Sequence, residues 1–277
     1  QYRKGRYTMR QVCALFNITR QAVYKHRKQA EAEQMEEHLI LQMVHEIRRK
    51  MPMVGGRKLY WMLADDMRKI AGSMGRDRFF DFLRKHGLLV RRRKRYTVTT
   101  NSHHRFRVYT NLIKELTVDA PNRVFVSDIT YVRLHEGFCY LALVTDMYSR
   151  KIVGFDVSES LSLDGSLRAL RMALSGVTDA SKLIHHSDRG IQYCSDDYTK
   201  LLRADHSQIS MGECGNPYDN AIAERVNGIL KTEFLLDGTF TDLLTAQRAI
   251  REAITTYNDL RPHLSLDYLT PSMKYAA

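Results

Sequence analysis

The feature that most constrains this fold is a change of hydrophobic period at Pro121. Upstream of it, apolar residues recur at helical spacing. Downstream, Val124-Phe125-Val126-Ser127-Asp128-Ile129-Thr130-Tyr131-Val132 is a β-branched and aromatic run broken by a single acid. Such a switch predicts an all-α front and a back half built on a sheet. A turn at His135-Glu136-Gly137 and strands over residues 138–144 and 151–157 describe an antiparallel meander. A helix over 161–174, a strand over 182–186, a helix over 195–204 and a strand over 207–211 complete an α/β class: a mixed sheet with helices on its faces.

In the front half, residues 9–16 and 20–30 read as two helices about a turn at Asn17-Ile18-Thr19, with Thr19 as N-cap of the second. Val12, Leu15 and Phe16 are expected to close on Ala22, Val23 and Tyr24. The pattern is a helix-turn-helix that offers Arg20, Gln21, Tyr24, Lys25 and Arg27 to DNA; a small helical hairpin with a solvated basic side fits it equally well. A third helix over 36–50 carries Leu39, Ile40, Met43, Val44 and Ile47, and Met51-Pro52-Met53-Val54-Gly55-Gly56 ends it. Helices over 57–70 and 76–86 form a further pair, stopped by Gly87 as a left-handed residue. Arg57, Lys58 and Arg76 join the expected DNA contacts. So do Arg91, Arg92, Arg93, Lys94 and Arg95, a run that tracks phosphates as an extended linker or simply keeps that linker solvated.

Charge points the same way. Residues 1–111 hold 26 Lys and Arg against 9 Asp and Glu, while the remainder holds 17 against 22. A cationic front half favours a polyanion, because neutralising phosphates releases condensed counterions. No apolar stretch approaches the roughly 18–20 residues that span a bilayer, and no secretory signal is read at the start. Cys13, Cys139, Cys194 and Cys214 are too scattered for a zinc knuckle or redox pair, so reduced thiols are expected.

Three acids carry the chemistry. Asp128 interrupts a strand, where desolvation is costly without a metal or hydrogen bonds. Asp188 follows the fourth strand, where a sheet end opens into a site. Glu224 lies on a helix expected to begin at Pro217 with Asn216 as N-cap and Asp219 in a capping box; Ile222, Val226, Ile229, Leu230 and Phe234 are buried, and Glu224, Asn227 and Lys231 lie toward the other side. Any one such acid is commonly a cap or a surface ion pair. Together they can converge on a divalent cation, since carboxylate oxygens are hard ligands and two such ions can hold the attacking and leaving oxygens of a phosphodiester. Asp146 reads as a turn cap with Arg150 tying down its loop. Tyr193 alone would fit a covalent tyrosine recombinase, but the acids explain the spacing better. Residues 212–218 read as a mobile loop.

These residues resemble the integrase-type DDE transposases of bacterial insertion sequences, in particular the second-frame product of two-frame elements. The likeness runs through Ser127-Asp128-Ile129-Thr130-Tyr131, His186-Ser187-Asp188-Arg189-Gly190-Ile191-Gln192-Tyr193, Gly215-Asn216-Pro217-Tyr218-Asp219-Asn220-Ala221 and Ala223-Glu224, with the superfamily's spacing of 35 residues between Asp188 and Glu224. It extends through Lys231-Thr232-Glu233 to Tyr257-Asn258, Arg261-Pro262-His263 and Thr270-Pro271. Gly55-Gly56-Arg57 and Ser127 are mild departures.

The resemblance implies a ribonuclease H-like core at 121–240. Before it come a helix-turn-helix at 1–35, a second helical DNA-binding module with basic linker at 36–95 and an arm at 96–120; a C-terminal helix and tail occupy 241–277. It also implies Asp128, Asp188 and Glu224 as catalytic metal ligands for magnesium (Mg²⁺), with manganese (Mn²⁺) able to substitute, and Lys231 on DNA. His185 and His186 are expected to orient Asp188 or to meet phosphate. The implied partners are double-stranded DNA (terminal inverted repeats and target), further copies of the chain as a dimer or higher oligomer on DNA, and an upstream-frame product by fusion or association. A cytoplasmic, nucleoid-associated location without a membrane follows. A catalytically silent DNA-binding repressor and a nuclease that cuts without joining are the alternatives.

Overall fold

The computed structural model describes residues 7–72, 74–90, 106–213 and 220–277. The chain divides into two compact units, Gln1–Arg49 with Leu59–Leu89, and Lys50–Lys58 with Val90–Ala277. No helix of the described residues is long and apolar enough to cross a membrane.

The first unit contains α1 (Met9–Leu15), most of α2 (Arg20–Lys50) and of α3 (Gly56–Ala71), and α4 (Arg76–Lys85). Thr8 and Gln11 form a capping box on α1, and Thr19 Oγ1 accepts the Ala22 amide at 3.1 Å, as its N-cap role requires. The two helices expected at 20–30 and 36–50 are instead one. Gln29 to Glu37 contains only strong helix formers, with no Gly, Pro or β-branched residue to end a helix. The apolar closure expected between α1 and the start of α2 is not made: Leu15 is 80% exposed, Phe16 67% and Tyr24 54%, and within α1 only Cys13 is buried. Seven residues of helix present too little area for a core of their own. Farther along, Ile40 and Val44 of α2, Leu59, Leu63 and Met67 of α3, and Phe79, Phe82 and Leu83 of α4 are buried, with Tyr60 against Phe79 at 5.7 Å. Gly87, at φ +67°, ends α4 with the Leu88 amide reaching back to the Leu83 carbonyl.

The second unit is the mixed sheet. Its strands are β1 (Val124–Leu134), β2 (Phe138–Asp146), β3 (Ile152–Ser158), β4 (Ile184–Ser187) and β5 (Gln208–Met211), in the order β3-β2-β1-β4-β5. The first three form the expected antiparallel meander, and β4 and β5 add in parallel. A two-residue β6 (Thr239–Phe240) pairs with the far end of β1. Alternation along β1 assigns the faces. Phe125 packs with Ala169 and Ala173 of α5 (Leu163–Leu174), whereas Val124 and Val126 pack with Ala223 of α8 (Ala221–Glu233). Helices α6 (Ile191–Cys194) and α7 (Asp196–Ala204) extend the α5 side through Tyr193, Tyr198 and Leu202. After α8, α9 (Leu243–Asp259) is capped by Asp242, and α10 (Pro271–Ala276) has Pro271 in its first turn. The tail is fastened to the sheet: Asn258 exchanges hydrogen bonds with the backbone of Ile152 at 2.9 and 3.0 Å.

Close approach of β3 and α5 depends on Gly154. A Cβ there would collide with the Ala169 carbonyl oxygen and stand 2.9 Å from both the nitrogen and Cβ of Ala173. Gly154→Ala is therefore expected to lower stability by about 1–3 kcal/mol through overpacking, read as a reduced denaturant midpoint at unchanged slope.

Candidate active site

Asp128 and Asp188 are brought together by strand pairing. In the parallel β1–β4 ladder Ser127 stands opposite Ser187, and each is followed by its aspartate, Asp128 within β1 and Asp188 just past the end of β4. Asp188 Oδ1 accepts the Gly190 amide at 2.9 Å. Burial pushes the Asp128 carboxyl up to about 7, and the neighbouring Asp188 carboxylate adds to the rise; Glu224 contributes in the same direction. Hydrogen bonds from Asn227 and the Ile129 amide partly offset this.

Helix α8 brings the third acid. Asn220 at its N-cap donates to the Ser127 carbonyl at 3.2 Å, and Asn227 Nδ2 donates to Asp128 Oδ2 at 2.7 Å. Glu224, exposed, lies one turn before Asn227 on the same side. The helical spacing puts Asn227 on this side, but its bond to Asp128 has no local signature, the partner lying 99 residues away. Among the described residues no three His, Cys, Asp or Glu side chains already form a metal-holding group. The acids are thus an aspartate pair with Glu224 beside it. The helix begins at Ala221 after Asn220, which corrects the start expected at Pro217; the expected cap Asn216, Asp219 and residues 214–218 of the expected loop lie outside the described residues.

Lys231 is half-buried, its ammonium 4.4 Å from the centroid of the Tyr131 ring. Burial lowers its pKa, against attraction from Tyr131 and Asp128. His185 and His186 are core residues, 1% and 0% exposed, which corrects the phosphate-contact branch of that expectation. The His185 Nε2 atom lies 2.8 Å from Ser127 Oγ and 3.0 Å from the Tyr198 hydroxyl, burial drives its pKa down to about 3, and His186 Nδ1 lies 2.8 Å from Ser210 Oγ. They brace the strand ends that carry the acids. Asp146 is the expected cap, fully buried and accepting from the Asn122 and Ser149 amides at 2.9 and 2.8 Å. Tyr193 is 3% exposed with its phenol pKa raised by burial, so it is no surface nucleophile.

The expected DNA contacts fare unevenly. Arg20, Gln21, Tyr24, Lys25, Arg27, Arg57 and Arg76 are all exposed, though Arg27 pairs with Glu31 and Arg76 with Asp77. Lys58 is a correction: it is 8% exposed and held by Glu233 at 2.7 Å. Arg91, Arg92, Arg93, Lys94 and Arg95 lie outside the described residues. Cys13, Cys139 and Cys194 are free and buried.

Family comparison matches this arrangement. The integrase core domain family covers residues 118–217, a second integrase core domain family covers 205–271, and the 31 kDa protein of insertion element IS600 from Shigella sonnei is 34% identical over 94% of this chain and 96% of its own length. The chain belongs to the integrase-core transposases of insertion sequences. The transposase for insertion sequence element IS904 of Lactococcus lactis is 40% identical over 58% of this chain and 64% of that protein. Among solved structures, the HTLV-2 integrase catalytic core domain aligns with 56% of this chain and 97% of its own at 21% identity and a TM-score of 0.45. As a DNA transposase the chain has its acids inside the family-matched segments, Asp128 and Asp188 in the first and Glu224 in the second.

Proposed function

We propose that this transposase nicks the ends of its element and joins the exposed 3′ ends to target DNA by metal-dependent phosphoryl transfer. The observation that carries the reading is the Asp128–Asp188 pair at adjacent parallel strands, with Asn227 fastening Asp128 to the helix that bears Glu224. The donor set fits a hard divalent cation: two carboxylates raise each other's cost of ionisation, and a bound cation would relieve it. Asp128 and Asp188 would hold Mg²⁺, or Mn²⁺ in its place, with Glu224 as a further oxygen donor. Bound there, the metal would supply charge neutralisation for the attacking and leaving oxygens.

The chain's own residues position these groups. In nicking, water attacks phosphorus, the bond to the 3′ oxygen breaks, and that oxygen leaves as a hydroxyl. In joining, this hydroxyl attacks a target phosphodiester and displaces the target's 3′ oxygen. No protein ester forms in either step, in keeping with the burial of Tyr193. Asn227 orients Asp128, so Asn227→Ala is expected to weaken Mn²⁺ binding about 10- to 100-fold by calorimetry. Lys231 meets a backbone phosphate. Lys231→Ala is expected to weaken binding to a terminal-repeat duplex roughly tenfold with metal affinity unchanged, and arginine should recover part of the loss.

Double-stranded DNA is the partner, the exposed basic residues of α2 serve its grooves and phosphates, and further copies of the chain, with or without an upstream-frame product, assemble on the two ends in the cytoplasm at the nucleoid. An end-labelled duplex carrying the element's terminus, incubated with Mg²⁺ or with a chelator, tests the first step. A nick at the terminus that requires Mg²⁺ supports the reading, and a chelator-resistant nick opposes it.

A further inference from the structure

Helix α8 has a second working flank. The side that turns away from Asp128 borders a cavity of about 390 Å³, lined among others by Lys58, Arg150, Arg225, Arg261, His263 and Ser265. Three of these residues are arginines, and Lys58 adds a fourth basic group. Glu233 answers two of them: Arg261 grips it with both arms of its guanidinium at 2.8 Å each, and Lys58 reaches it at 2.7 Å. Asp146 attracts Arg150 from a distance, but its oxygens already accept the Asn122 and Ser149 donors. Among the described residues no carboxylate forms an ion pair with Arg150 or Arg225. Arg150 Nη1 and His263 Nε2 are both buried without a hydrogen-bond partner, and His263 is only 7% exposed.

A pocket with this excess of positive charge is costly as it stands. A buried polar atom left unpaired is costly, and an uncompensated buried charge is costlier still. An anion offsets both. Guanidinium forks bind phosphate bidentately as they bind carboxylate, and a phosphate has further oxygens that can accept from several cations at once. The imidazole of His263, kept neutral by burial and by Arg261 and Lys58, can add a hydrogen bond without further charge. Arg225 stands exposed at the mouth and follows Glu224 directly, about 100° around the helix.

We propose that this cavity is a phosphate-binding pocket, filled by a DNA backbone phosphate or by a free phosphoryl compound, on the flank of α8 opposite the aspartates. It is separate from the metal site, since its charge repels divalent cations. The same helix thereby presents an acid to one side and an oxyanion receptor to the other.

The test uses the full chain and two rim substitutions that leave the buried cations in place. Arg225→Gln removes the mouth guanidinium, and Ser265→Glu adds a competing carboxylate. Inorganic pyrophosphate is titrated calorimetrically in phosphate-free buffer, and duplex affinity is measured across a salt series. If the source is a free phosphoryl group, pyrophosphate binds the wild type and at least tenfold more weakly to both variants. If it is the DNA backbone, both variants bind duplex more weakly, and the slope of log affinity against log salt for Arg225→Gln falls by about 1. Pyrophosphate that fails to bind, or binds both variants as it binds the wild type, together with unchanged duplex affinity and slopes, overturns the proposal. Both readouts are equilibrium binding, so the pocket stands or falls independently of strand joining.

Discussion

Asp128→Asn, Asp188→Asn and Glu224→Gln are each expected to abolish nicking and joining while leaving terminal-duplex affinity within about twofold. Each exchange keeps side-chain size and removes an ionised oxygen donor. Loss of metal support at a phosphoryl-transfer centre is worth several kcal/mol, roughly a thousandfold or more in rate. Folding should not suffer: Asp128 is a half-buried carboxylate whose ionisation is already opposed by desolvation and by Asp188, so the neutral amide is tolerated by its surroundings. Parallel cleavage and gel-shift titrations of the three variants provide the check, and turnover at the wild-type rate in any one would remove that residue from the catalytic set.

The largest expected effect on stability lies at Glu233. Two buried cations share this carboxylate, and Arg261 in particular, with Lys58, offsets the cost of burial and holds its pKa down at about 2. The balance differs for Lys58, whose pKa is lowered because burial and repulsion from Arg261 outweigh attraction to Glu233. The carboxylate is therefore the keystone, and without it both cations are buried and unanswered. Glu233→Ala should cost about 3–5 kcal/mol, a fall in Tm on the order of 10 °C. The pH dependence has a definite sign. A carboxyl depressed in the folded state contributes its full stability above the ordinary value of about 4.3 and loses it as pH falls toward about 2. Wild-type stability should drop across that window, and Glu233→Gln should flatten this part of the profile.

How far the sequence can be read depends on how local each cause is. The strand run at 124–132 and the caps at Thr19 and Asp146 depend on neighbours within a few residues, and they stand where the pattern placed them. The acids were legible as residues, and strand pairing explains why two of them meet. By contrast, Lys58 looked like one more cation in a basic front half; its partner is 175 residues away. Strand β6 is two residues long and exists only because the end of β1 offers an unpaired edge, a tertiary cause with no signature in Thr239-Phe240. The separate helices read at 20–30 and 36–50 mistook a weakening of the apolar stripe for an end, when helix propensity alone carries the chain through. His185 and His186, polar in sequence, are buried because Ser127, Tyr198 and Ser210 meet their ring nitrogens.

Strand joining separates a transposase mechanism from binding or cutting alone. The direct measurement supplies a pre-nicked terminal duplex with a free 3′ hydroxyl, a target plasmid and Mg²⁺, and resolves the joined product by electrophoresis. Joined product is expected with the wild-type chain, none with Glu224→Gln, and none when the terminal nucleotide lacks its 3′ hydroxyl. Target cleavage without joining, or stable binding with neither, would contradict the proposed mechanism.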